Sequence, residues 1–127
     1  MIKYLTLQQV LKMHDAFVEN FGGLKGVRDM NLLLSAIEMP KAAMFGTDLY
    51  PTIYDKASVY LYHIVQNHPF NDGNKRTAFG ASYLFLKANN VEILFDDEFL
   101  EALVVEVAKG NKTKQEVSCF FEYGQNG

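Results

Sequence analysis

Apolar residues recur along most of this chain at spacings of three and four, the mark of helices that each bury one face. The first run, Leu7, Val10, Leu11, His14, Phe17 and Val18, follows Thr6 and Gln9, which have the form of a capping box, and stops at Gly22-Gly23. After a turn at Gly23-Leu24-Lys25-Gly26, Asp29 is placed to cap a second helix that carries Leu33, Ala36 and Ile37 and ends at Pro40. From Lys41 to Thr52 no period holds, and Gly46, Asp48 and Pro51 predict a loop or short hairpin. A third helix runs from about Tyr54 through Ala57, Tyr60, Leu61, Ile64 and Val65. It stops near His68, because Pro69 disfavours helical geometry in the residue before it. A fourth begins after Asp72-Gly73-Asn74, carries Ala78, Ala81, Ser82, Phe85 and Leu86, and closes at Asn89-Asn90. Val91 to Phe95 is expected to form a short strand. Asp96 or Asp97 then starts a helix with Phe99, Leu100, Leu103, Val104 and Val107 up to Gly110. A further capping box, Thr113 and Glu116, precedes Val117, Phe120 and Phe121. The expected fold class is all-α: about six helices with almost no sheet, no repeat and no low-complexity linker, in one domain spanning 1–127.

Between the third and fourth helices the connection holds an imidazole, a carboxylate, a Gly-Asn pair and two adjacent cations, a density that a mere turn does not need. If the fourth helix begins near Asn74, the free N–H groups of its first turn point into that connection, and Gly73 lets backbone approach an anion closely. Lys75 and Arg76 then stand where the macrodipole disfavours cations by about 0.3–1 kcal/mol each. A phosphate held there would reverse that sign, with Arg76 as a fork and Lys75 as a movable point charge. Asp72 is suited to holding Mg²⁺ beside a polyphosphate, or to plain N-capping. His68 alone in the segment is a type of group able to accept a proton near neutral pH, so it is the natural general base for a hydroxyl attacking phosphorus.

Composition narrows the context. A formal charge of −3 and a pI near 5.5 argue against general nucleic-acid binding, which depends on Lys and Arg neutralising phosphates. The single cysteine, Cys119, lies among Val117, Phe120 and Phe121 and is expected to be a small buried filler. With no apolar run long enough to span a bilayer and no cleavage pattern at the N-terminus, a soluble cytoplasmic protein is expected.

His68-x-Phe70-x-Asp72-Gly73-Asn74-x-Arg76 resembles the motif of the Fic family, and Lys75 makes it similar to the Doc ("death on curing") branch. Gly22-Gly23-Leu24-Lys25-Gly26-Val27-Arg28-Asp29, Leu33-x-x-Ala36 and Thr77-Ala78 also resemble Doc proteins, so the likeness covers nearly the whole chain. The resemblance implies an all-helical Fic-type bundle, His68 as base, Asp72 on Mg²⁺, and Gly73, Asn74, Lys75 and Arg76 around the phosphates of ATP. It implies that the aromatic at Phe70 packs inward to hold the loop. Two positions depart from the AMP-transferring Fic pattern, which has Gly at Lys75 and a second Arg at Phe79. Both changes remove nucleotide contacts and are shared by the Doc branch. That branch implies ATP held in the reversed sense, transfer of the γ-phosphoryl group to a threonine of elongation factor Tu, and arrest of translation. No Glu satisfies the inhibitory signature of self-restrained Fic proteins. The implied restraint is a small antitoxin whose C-terminal segment folds into a groove near the site.

The alternatives are a Fic-type protein adenylyltransferase that tolerates Lys75, and a non-catalytic module that only binds a partner. Taken singly, His68, Asp72 and the Lys75-Arg76 pair each have an ordinary explanation as helix-end, cap or solvated residues; together they favour a site. His14 and His63 lack such neighbours and are expected to be packed or surface histidines with no assigned role. Lys25 and Arg28 either reach the phosphates or sit in a solvated turn. The stretch from Gly46 to Thr52 is either a flap that aligns a target segment or an inert loop.

Overall fold

The computed structural model describes residues 1–124. Among them are six α-helices: α1 Leu7–Phe21, α2 Met30–Glu38, α3 Ile53–Asn67, α4 Asn74–Ala88, α5 Asp97–Ala108 and α6 Lys114–Tyr123. One antiparallel pair accompanies them, β1 Ala43–Met44 with β2 Thr47–Asp48, so the chain is mostly helical, as its periodicity predicts. No described helix is long and apolar enough to cross a membrane.

Local chemistry sets the helix starts. Thr6, Thr52 and Thr113 each close a reciprocal capping box, with Gln9, Asp55 and Glu116 respectively, and Asp29 accepts from Leu32 N–H. The Thr52–Asp55 box begins α3 one residue before the apolar period does. Pro40 lies in a 3₁₀ turn, Met39–Lys41, that ends α2. At the other end of α3, His68 is the C-cap in left-handed geometry.

Packing centres on α3, which contacts α2, α4, α5 and α6. It is therefore buried round most of its circumference, with Ala57, Val59, Tyr60, Leu61 and Ile64 fully enclosed. Tyr60 shows how tightly its polar tip is accounted for: the hydroxyl accepts the Leu5 N–H at 3.0 Å, and burial pushes its pKa up to about 12. Helix α1 lies across α4 at Gly80, where an added Cβ would fall 2.7 Å from Met13 Sδ and 2.9 Å from the Phe17 ring.

Two expectations are corrected. Val91 to Phe95 is not a strand: the sheet among the described residues lies at 43–48, so this segment has no ladder to join. Instead, Val91 N–H returns to Leu86 O at 3.1 Å, and Phe95 enters an aromatic cluster with Tyr83, Phe120 and Phe121. Cys119 is exposed rather than buried, because α6 turns Val117, Ser118 and Phe121 inward and leaves Cys119 off that face.

The irregular stretch before α3 holds the hairpin. Phe45 (φ 52°) and Gly46 (φ 78°) form its turn with two positive φ values, the geometry that suits a two-residue hairpin loop. Phe45 stands 99% exposed at the tip. Two-residue strands cannot hold themselves, and Lys56 of α3 supplies the anchor. Its side chain is fully buried, and its ammonium donates to Asp48 Oδ2 at 3.1 Å and to Tyr50 O.

Candidate active site

The α3–α4 connection is shaped by two clamps. The first is the segment between α1 and α2. Val27 and Phe70 form an antiparallel bridge, Asn71 N–H donates to Gly26 O (3.1 Å), and the Arg28 and Asp29 N–H groups donate to Pro69 O (2.7 and 3.0 Å). Asn71 Nδ2 adds a bond to Lys25 O at 3.1 Å. Arg28 completes the clamp with its side chain: Nε donates to His68 O at 2.7 Å and an Nη to Asn67 O at 2.9 Å. A guanidinium fork on the last carbonyls of α3 is favourable both as hydrogen bonding and against the helix dipole. Arg28 is thus exposed but engaged with backbone carbonyls. It secures the backbone of His68, whose φ of 50° is unusual for a side-chain-bearing residue.

The second clamp comes from within. Phe70 is fully buried, in keeping with its expected supporting part, and lies flat on His14 with ring centroids 3.8 Å apart and planes 7° from parallel. Asn74 spends its carboxamide on Phe70: Oδ1 accepts the Phe70 N–H (2.9 Å) and Nδ2 donates to Phe70 O (3.0 Å). Since Asn74 is also buried, its side chain holds the loop, and what it can offer an anion is its backbone N–H. Gly73 adds to the same turn. It is the α4 N-cap at φ 77°, a left-handed geometry that suits glycine, and a Cβ there would lie 3.5 Å from the His14 ring.

Asp72 is not an N-cap, for α4 has no side-chain cap bond. Its Oδ2 accepts Leu24 N–H at 3.0 Å, and Oδ1 makes no hydrogen bond among the described residues. No cluster of three His, Cys, Asp or Glu surrounds it among those residues. One exposed carboxylate with an oxygen free suits Mg²⁺ shared with phosphate oxygens and water rather than a cage of protein ligands.

The remaining groups face outward. His68, Asp72, Lys75 and Arg76 are all exposed, and the N–H groups of Asn74, Lys75 and Arg76 have no partner among the described residues. Lys75 has no ion pair there either, while Arg76 lies over the Phe21 ring at 4.2 Å. The first turn of α4 therefore carries three backbone donors without partners among the described residues and two exposed cations, groups of the kind that bind an anion. Beside it opens a largely apolar cleft of about 730 Å³ between α1, α4 and α5, walled by Phe17, Phe21, Phe79, Tyr83 and Val104, with Lys75, Arg76 and Lys87 along it.

Sequence reasoning missed His14. It is 1% exposed, and its Nε2 donates to the Asp72 carbonyl at 2.7 Å. The signal was a histidine placed midway in the buried stripe Val10, His14, Val18, where an aliphatic residue would otherwise serve. His63 lies away from the connection. Burial and the nearby Lys114, whose ammonium is 3.3 Å from Nε2 and bonded to Tyr50 Oη at 2.8 Å, lower its pKa to about 4.

Comparison with known proteins points the same way. The family model described as "Fic/DOC family" matches residues 4–86. The chain is 41% identical over 110 residues to "Toxin Doc" of Mycolicibacterium smegmatis (strain ATCC 700084 / mc(2)155), covering 85% of this chain and 82% of that protein. It is 30% identical over 109 residues to "Protein kinase doc" of Escherichia phage P1, covering 86% of this chain and 85% of that protein.

Proposed function

The chain belongs to the Fic/DOC family, and from that premise we propose that it is a Doc-type toxin and an ATP-dependent protein kinase acting on a hydroxyl side chain. The observation that carries this reading is the α4 N-terminus: N–H groups and a Lys75 without partners among the described residues, with Arg76, stand close in the chain to an exposed His68 and a half-engaged Asp72. The relatives support it too, one being named a toxin and the other a protein kinase.

In the proposed reaction His68 takes the proton of the target hydroxyl, whose oxygen bonds to the γ-phosphorus of ATP. The bond from that phosphorus to the β–γ bridging oxygen breaks, and ADP leaves. The N–H groups of residues 74–76, Lys75 and Arg76 meet the charge spread over the transferring oxygens. Asp72 is the residue that would hold Mg²⁺, an ion that neutralises phosphate charge when bound. A threonine of elongation factor Tu is the proposed target, and a cytoplasmic location follows from it. The hairpin at 43–48, pinned by Lys56, is suited to aligning an extended target segment through its backbone.

Restraint by a small antitoxin in trans accords with the cleft between α1, α4 and α5. It is apolar enough to take an amphipathic segment, and it ends at Lys75 and Arg76, so an occupant reaches the phosphate cradle.

The test is the intact mass of elongation factor Tu after incubation with the protein, ATP and Mg²⁺, with His68→Ala in parallel. Gain of one phosphoryl group, lost in the variant, is the expected result. Gain of AMP would replace the kinase by an adenylyltransferase, and retained activity in His68→Ala would remove His68 as base. Binding of a partner without Mg²⁺-dependent nucleotide binding would reduce the protein to a non-catalytic module. Lys75→Gly is expected to weaken phosphoryl transfer.

A further inference from the structure

We propose that His14, on α1 and remote in sequence from the motif, is a positioning residue for the transfer site, acting through Asp72 and the turn that begins α4. The inference rests on the transferase reading above for its catalytic consequence, but its structural basis is separate. Three contacts converge on one ring. Nε2 donates to the main-chain carbonyl of Asp72 at 2.7 Å. The ring face lies on Phe70 at 3.8 Å between centroids. Its edge abuts Gly73, where a Cβ would come within 3.5 Å of Cδ2 and Nε2. One side chain thus touches three of the four residues from 70 to 73.

The alternative is that His14 merely fills the core, and the chemistry of its position speaks against that. The buried stripe of α1 is otherwise Val10 and Val18, and an aliphatic residue would pack there without needing a polar partner. An imidazole 1% exposed is retained with its Nε2 spent on a single carbonyl. That carbonyl belongs to the residue whose carboxylate accepts the Leu24 N–H. Asp72 is therefore fixed at two points: its side chain by the α1–α2 segment and its backbone by α1. A bond to a carbonyl oxygen requires a proton on Nε2. Nδ1 lies 3.9 Å from the exposed Asp15 carboxylate.

Removing the donor while keeping the bulk frees the backbone at Asp72 and Gly73 and loosens the first turn of α4. Misplacement of a catalytic constellation by about 1 Å can reduce turnover by roughly a hundredfold. The experiment compares His14→Leu, which keeps apolar bulk, with His14→Gln, whose carboxamide nitrogen reaches about as far as Nε2. Two readouts are taken: hydrogen exchange of the segment 68–76 by mass spectrometry, and kcat and KM for ATP in phosphoryl transfer.

We expect His14→Leu to raise exchange selectively in 68–76 and to lower kcat about tenfold to a hundredfold with KM for ATP changed less than about threefold. His14→Gln should restore both. Unchanged exchange in 68–76, or full turnover in His14→Leu despite a lower melting temperature, overturns the proposal and leaves His14 as core packing. If His14→Leu does not fold, His14→Asn, too short to reach the carbonyl, takes its place in the same comparison. If the wild-type protein transfers no phosphoryl group, the kinase reading fails on its own, and the exchange comparison still decides whether His14 holds the turn.

Discussion

Replacing Arg28 by Ala separates two accounts of a cation beside the proposed phosphate site. Arg28 gives two hydrogen bonds to the end of α3, to His68 O at 2.7 Å and Asn67 O at 2.9 Å. Each is charge-assisted but exposed, which keeps it nearer ~0.5–1 kcal/mol than the buried maximum. The interaction with the helix C-terminus falls in the range of about 0.3–1 kcal/mol and overlaps with those bonds. Together they predict a loss of about 1–2 kcal/mol, measurable as a shift in the urea midpoint at constant slope. The same loss weakens what holds His68 in its left-handed conformation, which itself costs about 1–2 kcal/mol. A change of that size in the population of the competent conformer is roughly a tenfold fall in kcat. Because Arg28 is occupied with carbonyls, KM for ATP should stay within about twofold. Arg28→Lys should recover little, since an ammonium cannot fork across two carbonyls in that geometry. A tenfold rise in KM for ATP with unaltered stability would refute this reasoning and return Arg28 to the phosphates.

Further outcomes follow from other residues. Asn74→Asp removes the donor to Phe70 O and buries a carboxylate against that carbonyl, so it should lose about 2–4 kcal/mol in urea unfolding, far more than Lys75→Gly at an exposed position. His63, with its folded pKa lowered to about 4 against 6.5 unfolded, makes the unfolded chain bind the proton first between those values. Stability should therefore fall as pH drops from 6.5 towards 4, and His63→Gln should flatten that part of the profile by about 1 kcal/mol after allowance for the ring's partial exposure. Lys56→Met should leave the melting temperature nearly unchanged while raising hydrogen exchange across 43–50, because it cuts the hairpin's tie to α3 without opening the core.

Much of this protein was determined by its sequence alone, because the governing forces are local. The helices follow from apolar period and from caps that act within four residues, and Thr6, Asp29 and Thr113 each bond as their spacing requires. The stop at His68 follows from the sterics of the next residue, Pro69. The motif too is contiguous, so its exposed side chains and the free N–H groups at the start of α4 could be read along the chain. Tertiary structure decided what depends on contacts between distant segments. Val91 to Phe95 has the composition of a strand but no neighbouring edge to pair with. Cys119 has apolar neighbours in sequence but lies off the buried face of α6. The Asn74 carboxamide is bonded to Phe70, and Gly73 packs at the His14 ring, contacts set by the folded turn. His14 and Arg28, 58 and 40 residues from the atoms they hold, acquire their parts only when α1 and the segment after it fold against the connection. A hydrogen bond between segments so far apart leaves no period or spacing in the chain, and only packing brings its two ends together.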